Sequence, residues 1–312
     1  MPANKDTAID ALIDKIKDMG NPTVVGLDTR LHYIPQEIKQ KAFAQHGETP
    51  KGAAEAMFLF NKAVIDAVFD IVPAVKPQVA MYEQFGADGM SAYILTARYA
   101  RARGMTVIGD IKRGDISSTA EAYSNGHLGR VYIEQTPHEI YQEDFVTVNP
   151  YMGADAVSPF LSDCRAYNKG IFVLVRTSNP SSVQLQELQT TSGLVYEHIG
   201  RLVAEWGKDF IGRHGFSSVG AVVGATAPEQ AARLRQIMPR VFFLVPGYGA
   251  QGASAVDLSV CFKNKSGAIV NSSRGIIDAH HNEKYVDLAK KGFEKAIRQA
   301  AVDMRADLWK VL

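Results

Sequence analysis

Three charged residues follow an apolar run in the first half of the chain. The run MTVIGDIK leads into the segment GDIKRGDISST, which carries Asp110, Lys112 and Asp115. If residues 106–112 form a strand, Asp110 and Lys112 point to the same face, because side chains alternate along a strand. A solvated ion pair at the end of a surface strand is the alternative interpretation. A carboxylate beside an ammonium group otherwise suits proton transfer or electrostatic stabilisation.

Short β-rich runs alternate with helical patterns along the chain. The eight predicted strands are TVVGLD, AVKPQV, the run to Lys112, FVTVNP, GIFVLVRTSNP, VGAVVGAT, VFFLVPGYG and GAIVNSSRG. This order predicts an α/β protein with one (β/α)8 TIM barrel over residues 1–312. A doubly wound sheet is the fallback, but DTRLHY follows the first strand where that fold normally has a glycine-rich turn.

Helical patterns fill the intervals between the strands. Residues 7–18 form an amphipathic helix, with Ile9, Leu12, Ile13 and Ile16 on one face, which could cap one end of the barrel. Residues 29–52 are predicted to be a solvated insertion after strand one, leading into a helix over 53–71. Further helices are expected at about 89–103, 118–129, 194–211 and 228–238, and from 282 towards 309.

Charge and hydropathy restrict the partners of the chain. The 312 residues include 34 basic and 33 acidic side chains, so the net charge is +1 and nothing indicates binding to nucleic acid or to an anionic membrane. The first residues lack the apolar core of a signal peptide, and no stretch of eighteen apolar residues occurs. We therefore expect a cytoplasmic protein that binds a small molecule.

Metal-ligating residues show no recognisable spacing. Cys164 and Cys261 are expected to be buried free thiols, because two cysteines make no disulfide framework. The eight histidines form no HxxxH or HxH pattern, and His280 and His281 are expected to be exposed before the last helix. The sequence therefore predicts no metal site.

The carboxyl ends of barrel strands carry the chemistry in this fold. These ends hold Asp28, Lys76, Asp110 with Lys112, Asn149, Arg176 to Ser178, Thr226, residues 247–252 and residues 272–275. Lys76 can reach Asp110, because neighbouring strands lie about 5 Å apart. Asp28, Lys76, Asp110 and Lys112 would then form a charged array of alternating carboxylate and ammonium groups. Carboxylates beside the lysines keep them protonated, so the array suits a proton donor or an electrostatic anchor better than a Schiff-base lysine.

Glycine-rich motifs follow strands seven and eight. PGYGAQGA alone could be a flexible surface turn, but NSSRG places Arg274 at the neighbouring strand end. Barrels often bind phosphate at this position through backbone amides and a basic side chain. The expected ligand is a phosphate ester whose reacting end lies near strands two and three. Tyr248 is expected to anchor the loop.

Together these motifs resemble the orotidine 5′-phosphate decarboxylase family, in its longer bacterial-type branch (type 2). GDIKRGDISST is similar to the DxKRxDI signature, and VKPQVAMYEQFG, VNPYMGAD, RTSNPS, PGYGAQG and NSSRGI follow in the family's order over nearly the whole chain. Ser181 and Ala253 stand where that branch often has glycine. Neither departure removes a functional group, although either could alter the mobility of its loop.

The resemblance implies decarboxylation of orotidine 5′-phosphate to uridine 5′-phosphate and CO2, the last step of de novo UMP synthesis, without a cofactor. Lys112 would protonate C6, Asp110 would lie against the substrate carboxylate, and Lys76 would complete the array. In a homodimer with shared sites, Asp115 and Thr119 would reach the other subunit's site. The implied substrate-binding residues are Asp28 for the ribose, Ser178 for the pyrimidine, Gln251 and Arg274 for the phosphate, and Asn149, Gly252 and Gly275.

Several alternatives stay open at this point. Ser178 could be a plain turn former, and Asn149 could only satisfy backbone groups at a strand end. A metal-dependent sugar-phosphate decarboxylase or synthase of the same superfamily would use the strand-tip carboxylates as metal ligands. A non-catalytic phosphate-binding barrel would tolerate loss of the charged array.

Overall fold

The apolar runs of the sequence form the strands of a closed barrel. The computed structural model describes residues 6–249 and 254–312. Each strand pairs in parallel with its neighbours in chain order, and the first pairs with the last. The strands are β1 (Thr23–Leu27), β2 (Ala74–Pro77), β3 (Thr106–Arg113), β4 (Phe145–Val148), β5 (Gly170–Arg176), β6 (Ser217–Val223), β7 (Val241–Val245) and β8 (Ala268–Ser272). The predicted (β/α)8 barrel is confirmed.

Helices connect the strands around the outside. The longer ones are α1 (Ala8–Met19), α2 (Gln36–His46), α3 (Pro50–Val68), α4 (Gly86–Ala102), α5 (Ser117–His127), α6 (Ala154–Tyr167), α7 (Val195–Trp206), α8 (Pro228–Ile237) and α9 (Phe293–Trp309). Shorter α-helices lie at Val79–Glu83, Val183–Gln186, Ala255–Leu258, Arg274–Ile277 and Val286–Ala289. Single 3-10 turns lie at Leu31–Tyr33, Pro180–Ser182, Lys208–Phe210, Ser259–Cys261, Ala279–His281 and Glu283–Tyr285.

Two predicted helices are shorter than expected. The helix predicted over 194–211 ends at Trp206, where Gly207 packs so closely on β6 that a Cβ would lie 2.7 Å from Ser217 Oγ. The last helix does not run unbroken from Asn282, because Gly292 adopts a φ of 129° just before α9. Glycine tolerates this conformation, which ends one helical segment and starts the next.

In the described residues, two small antiparallel hairpins lie outside the barrel, and neither was predicted. One pairs Val131–Ile133 with Thr136–His138, and the other pairs Gln189–Thr190 with Gly193–Leu194. The predicted insertion after β1 contains α2, and it is only partly solvated. Thr29 and Ile34 are buried, whereas most of α2 is exposed or half-buried.

Helix α1 closes the barrel at the amino-terminal ends of the strands. A capping box starts it, in which the Thr7 hydroxyl accepts from the Asp10 N–H and the Asp10 carboxylate accepts from the Thr7 N–H. Its buried face packs onto the aromatic rings inside the barrel; these contacts join Ile9, Leu12 and Ile13 to Phe145, Phe172 and Phe242. The predicted capping helix is confirmed.

Inward-facing side chains form layers inside the barrel. The layer that lies further from the carboxyl ends of the strands is apolar and includes Val24, Ala74, Ile108, Phe145 and Phe172. Two residues further along each strand, the next inward positions lie at the carboxyl ends. On β2, β3 and β4 these positions are Lys76, Asp110 and Thr147. The same strand alternation that fills the barrel interior with apolar side chains therefore places polar groups at the carboxyl ends of the strands, which form the mouth of the barrel.

None of the described helices has both the length and the apolar character needed to cross a lipid bilayer.

Candidate active site

A cavity of about 680 Å³ opens at the carboxyl ends of the strands. It brings together six of the residues predicted from the sequence, namely Asp28, Lys76, Asp110, Lys112, Ser178 and Arg274. Its other polar lining residues include Thr147, Thr177, Asn179, Gln186, Asn271 and Ser273. Apolar lining comes from Leu174, Val222, Leu244 and Pro246. The cavity thus has a charged side on β1 to β3 and an apolar wall on β5 to β7.

Asp110 is the centre of the charged side. Its Oδ2 accepts from Lys76 Nζ at 2.6 Å and from Gln78 Nε2 at 3.0 Å. Its Oδ1 accepts from Lys112 Nζ at 2.5 Å and from the Thr147 hydroxyl at 3.0 Å. Asp110 is only 6% exposed, so these four donors replace the water that its carboxylate would bind in solution.

The ionisation of the array follows from this arrangement. Burial alone would raise the pKa of Asp110, but the ammonium groups of Lys76 and Lys112 outweigh it and hold that pKa well below its usual range. Burial would lower the pKa of Lys76, yet the carboxylates of Asp110 and Asp28 outweigh burial and raise it. Asp28 Oδ1 lies 3.9 Å from Lys76 Nζ. The predicted alternation of carboxylate and ammonium is therefore present, with Lys76 protonated.

The loop after β5 is held by a buried arginine. Arg176 donates to the carbonyl oxygen of Thr177 at 2.7 Å, to the Ser182 hydroxyl, and to Glu187 Oε1 at 2.7 Å. Gln186 accepts from the Thr177 N–H at 2.9 Å. These bonds fix the turn that places Ser178 in the cavity.

Arg274 lies where the phosphate was predicted. It follows β8 and lines both the main cavity and a neighbouring cavity of about 780 Å³, which Gly275 also lines. The predicted phosphate residue Gln251, the predicted substrate-binding residue Gly252 and the departure at Ala253 lie outside the described residues. Tyr248 donates its hydroxyl to Asp307 Oδ2 at 2.7 Å, in agreement with the predicted loop anchor.

Besides Gly275, which lines only the neighbouring cavity, three of the predicted residues that the structure describes do not line the main cavity, namely Asn149, Asp115 and Thr119. Asn149 Oδ1 accepts from the Tyr151 N–H at 3.0 Å, which favours the alternative of a strand-end turn. Asp115 Oδ1 accepts from the adjacent Ile116 N–H at 2.8 Å. Thr119 is exposed on α5. None of the three contacts the Asp110 carboxylate in this chain.

Sequence reasoning missed several polar residues of the cavity. Thr147, Gln186 and Asn271 line it and were not singled out, and neither was Gln78, which donates to Asp110. Thr147 and Asn271 each lie two positions beyond an inward apolar residue, Phe145 and Ile269 respectively. The alternation of a strand was therefore the signal that could have identified both.

Outside the cavity, one group of potential metal ligands occurs in the described part of the chain. Asp278, His280 and His281 place ligand atoms within 4.8 Å of one another, but His281 Nδ1 and Asp278 Oδ1 already pair at 2.6 Å. The expectation that both histidines are exposed is wrong for His280. Its ring is half-buried and lies 5.8 Å from the Phe293 ring, between centroids.

The two cysteines are free and buried, as predicted. Burial raises the pKa of the Cys261 thiol to about 12. Neither thiol lines the main cavity.

Comparison with known proteins agrees with this geometry. The family profile described as orotidine 5′-phosphate decarboxylase / HUMPS family matches residues 58–287. Orotidine 5′-phosphate decarboxylase of Caldicellulosiruptor bescii is 40% identical over 285 residues, which cover 91% of this chain and 93% of that protein. The Petrotoga mobilis protein of the same name is 41% identical over 302 residues, 96% of this chain and 97% of that one.

Among solved structures, Leishmania donovani OMP decarboxylase superimposes with a TM-score of 0.74. It is 29% identical, and the alignment covers 98% of each chain. The chain described here belongs to the orotidine 5′-phosphate decarboxylase / HUMPS family.

Proposed function

We propose that this protein decarboxylates orotidine 5′-phosphate to uridine 5′-phosphate and CO2. One observation carries the proposal: the Asp110 carboxylate is held between the ammonium groups of Lys76 and Lys112 at the mouth of the barrel. The relatives that are about 40% identical over nearly their whole length bear the name of this activity.

The substrate spans the cavity with its phosphate at Arg274 and its pyrimidine between Ser178 and Lys112. Asp28 holds the ribose hydroxyls. Gln251 joins Arg274 at the phosphate, as the family resemblance implies, and Gly252 and Gly275 are the remaining proposed binding residues. This pose directs the substrate carboxylate towards Asp110, whose charge is fixed by Lys76.

The reaction breaks the bond between C6 and the carboxylate, and the electron pair stays on C6. Lys112 Nζ gives its proton to that carbon, which leaves the lysine neutral until water reprotonates it. A fixed ammonium stabilises the developing negative charge at C6 most strongly where water is excluded. The apolar side chains of Leu174, Val222 and Leu244 line the opposite wall of the cavity and offer no hydrogen-bond donors that would compete with Lys112.

The array suits an ammonium-based mechanism better than metal ligation. A carboxylate offers about four lone-pair positions, and four donors already occupy the two oxygens of Asp110. A divalent cation at Asp110 would have to displace donors, two of which are ammonium groups of like charge. We therefore propose that turnover requires no metal and no cofactor.

Direct measurement of CO2 release from orotidine 5′-phosphate, with a chelator present, tests this proposal. We expect turnover that the chelator leaves unchanged. Loss of turnover on chelation, with recovery on adding Mg²⁺, would indicate the metal-dependent relative. Binding of the nucleotide without any turnover would indicate a non-catalytic barrel.

We further propose that the protein acts as a cytosolic homodimer with shared sites. Asp115 and Thr119 lie beyond the end of β3 and do not line the cavity of their own chain, which supports a role for them in the partner's site. Large apolar side chains nearby are exposed: Ile116 at 53%, Tyr151 at 76% and Met152 at 44%. A second copy would cover such a surface.

Mixing two inactive variants tests the shared site. Lys112→Ala and Asp115→Ala homodimers each carry a defect in both sites, but a mixed dimer places both defects in one site and leaves the other intact. Random exchange should restore roughly a quarter of the wild-type sites. Activity that stays at the level of the parents, despite demonstrated exchange of subunits, would place Asp115 in its own chain's site.

A further inference from the structure

The backbone of β3 is irregular at the residues that carry the array. Gly109 pairs with Val146 of β4, and the next paired residues are Arg113 and Val148. On the β4 side, three residues of β3, from Asp110 to Lys112, therefore lie opposite the single residue Thr147. Such a bulge leaves backbone groups without ladder partners. It also turns Lys112 into the left-handed region, with a φ of 47°, which residues other than glycine seldom adopt.

Thr147 pairs with one of these backbone groups and also contacts the Asp110 carboxylate. Its hydroxyl oxygen accepts from the Lys112 backbone N–H at 2.9 Å. The same hydroxyl donates its single proton to Asp110 Oδ1 at 3.0 Å. Thr147 is 1% exposed, so water cannot easily replace either bond. One side chain thus links the backbone of Lys112 to the carboxylate that its ammonium group contacts.

We propose that Thr147 is a positioning residue of the reaction, which it serves by fixing the Lys112 backbone and the Asp110 carboxylate relative to one another. The inference rests on the proposed decarboxylation. When Lys112 gives up its proton, Asp110 Oδ1 loses its charged donor and keeps the Thr147 hydroxyl. Oδ2 keeps Lys76 and Gln78 throughout. The carboxylate therefore stays in place while the lysine acts.

The test compares Thr147→Val, which keeps the shape and removes the hydroxyl, with Thr147→Ser, which keeps the hydroxyl. We expect kcat of the valine variant to fall about 100-fold, the lower end of the range for loss of one preorganised donor, because the hydroxyl acts on Lys112 and Asp110 rather than on the substrate. The serine variant should stay within about threefold of wild type. Binding of uridine 5′-phosphate should change less than about threefold in both, because the hydroxyl acts on Lys112 and Asp110.

Three results would overturn the inference. They are an unchanged kcat in Thr147→Val, an equal loss in the valine and serine variants, and a parallel loss of kcat and product binding, which would indicate general damage. If the valine variant does not fold, Thr147→Ala replaces it in the same comparison.

A separate measurement does not depend on the substrate. Amide hydrogen exchange at Lys112 should be slow in wild type and in Thr147→Ser, and faster in Thr147→Val. An unprotected Lys112 amide in wild type would overturn the inference whatever the enzyme's activity. Absence of turnover in wild type, with that amide protected, would instead refute only the proposed reaction.

Discussion

Asp10 and Asp110 are buried carboxylates at opposite ends of the barrel, and they are held by different kinds of donor. Asp10, at the amino-terminal end, accepts from the N–H groups of Thr7, Arg213 and His214 at 3.0–3.1 Å and from the Thr7 hydroxyl. Asp110, at the carboxyl end, accepts from two ammonium groups and two neutral side chains.

The different donors indicate different roles, with Asp10 stabilising the fold and Asp110 taking part in the chemistry. Backbone N–H groups are neutral and fixed by the fold, so they hold the Asp10 charge and join α1 to the loop before β6. Ammonium groups can give up protons, and burying them costs free energy that well-packed apolar residues would avoid. An array of that kind at the strand ends points to function.

The largest expected effect is at Asp110. Asp110→Asn should lower kcat by at least about 10⁴-fold, because it removes the charge that faces the substrate and orients Lys112. It should also lower the free energy of unfolding by about 3 kcal/mol, because Lys76 is buried and loses its main partner. Kinetics and chemical denaturation measure the two effects.

The double variant Lys76→Met/Asp110→Asn is the matched control. It should recover most of the lost stability, because no unpaired buried charge remains, and it should stay inactive. Recovery of turnover in the double variant would contradict the role of the array.

Arg274 comes next in expected effect. Arg274→Ala should raise KM for orotidine 5′-phosphate about 10- to 100-fold, the effect of losing a hydrogen bond to a charged group, and should also lower kcat. Turnover of the unphosphorylated nucleoside orotidine is the control, and it should not change. Equal losses on both substrates would place the phosphate elsewhere.

Asp10 should affect stability without affecting turnover. Burial would raise the pKa of Asp10, but the N–H groups of His214, Thr7 and Arg213 outweigh it and lower that pKa. The resulting stability is present above the unfolded pKa of about 3.9 and is lost as the pH falls through the lower folded value. Asp10→Asn should cost about 1–3 kcal/mol at pH 7.

The pH dependence of unfolding distinguishes this effect. Below about pH 4 the difference between wild type and Asp10→Asn should shrink, because the wild-type carboxylate becomes protonated. Asp18→Asn, at an exposed position of the same helix, should leave stability nearly unchanged. A constant difference from pH 7 to pH 2 would show that the Asp10 charge is not what stabilises the fold.

The smallest effect is expected at Asn149. Among the described residues Asn149→Ala removes the bond to the Tyr151 N–H, so it should cost about 1 kcal/mol or less and change kcat less than about threefold. A much larger loss of kcat would restore the substrate-binding role that the family resemblance implies.

The sequence identified the main charged residues because strand alternation and barrel geometry determine where strand ends meet. These two rules were enough to bring together four charged residues, Asp28, Lys76, Asp110 and Lys112. Strand alternation could have placed Thr147 in the cavity, but its bonds to Asp110 and to the Lys112 backbone could not be predicted, because they depend on the irregular pairing of β3 with β4. The break at Gly292 depends on a backbone conformation that the helical pattern around it does not reveal.

The most direct test of the account measures kcat for CO2 release and the free energy of unfolding in both Lys112→Ala and Asp10→Asn. Lys112→Ala should abolish turnover, because the proton donor is lost, and should leave uridine 5′-phosphate binding nearly intact. Stability should also change little, because the Lys112 side chain is 45% exposed. Asp10→Asn should lose stability and keep the wild-type kcat. Residual turnover near wild type in Lys112→Ala, or loss of kcat in folded Asp10→Asn, would contradict the division of roles between the two ends of the barrel.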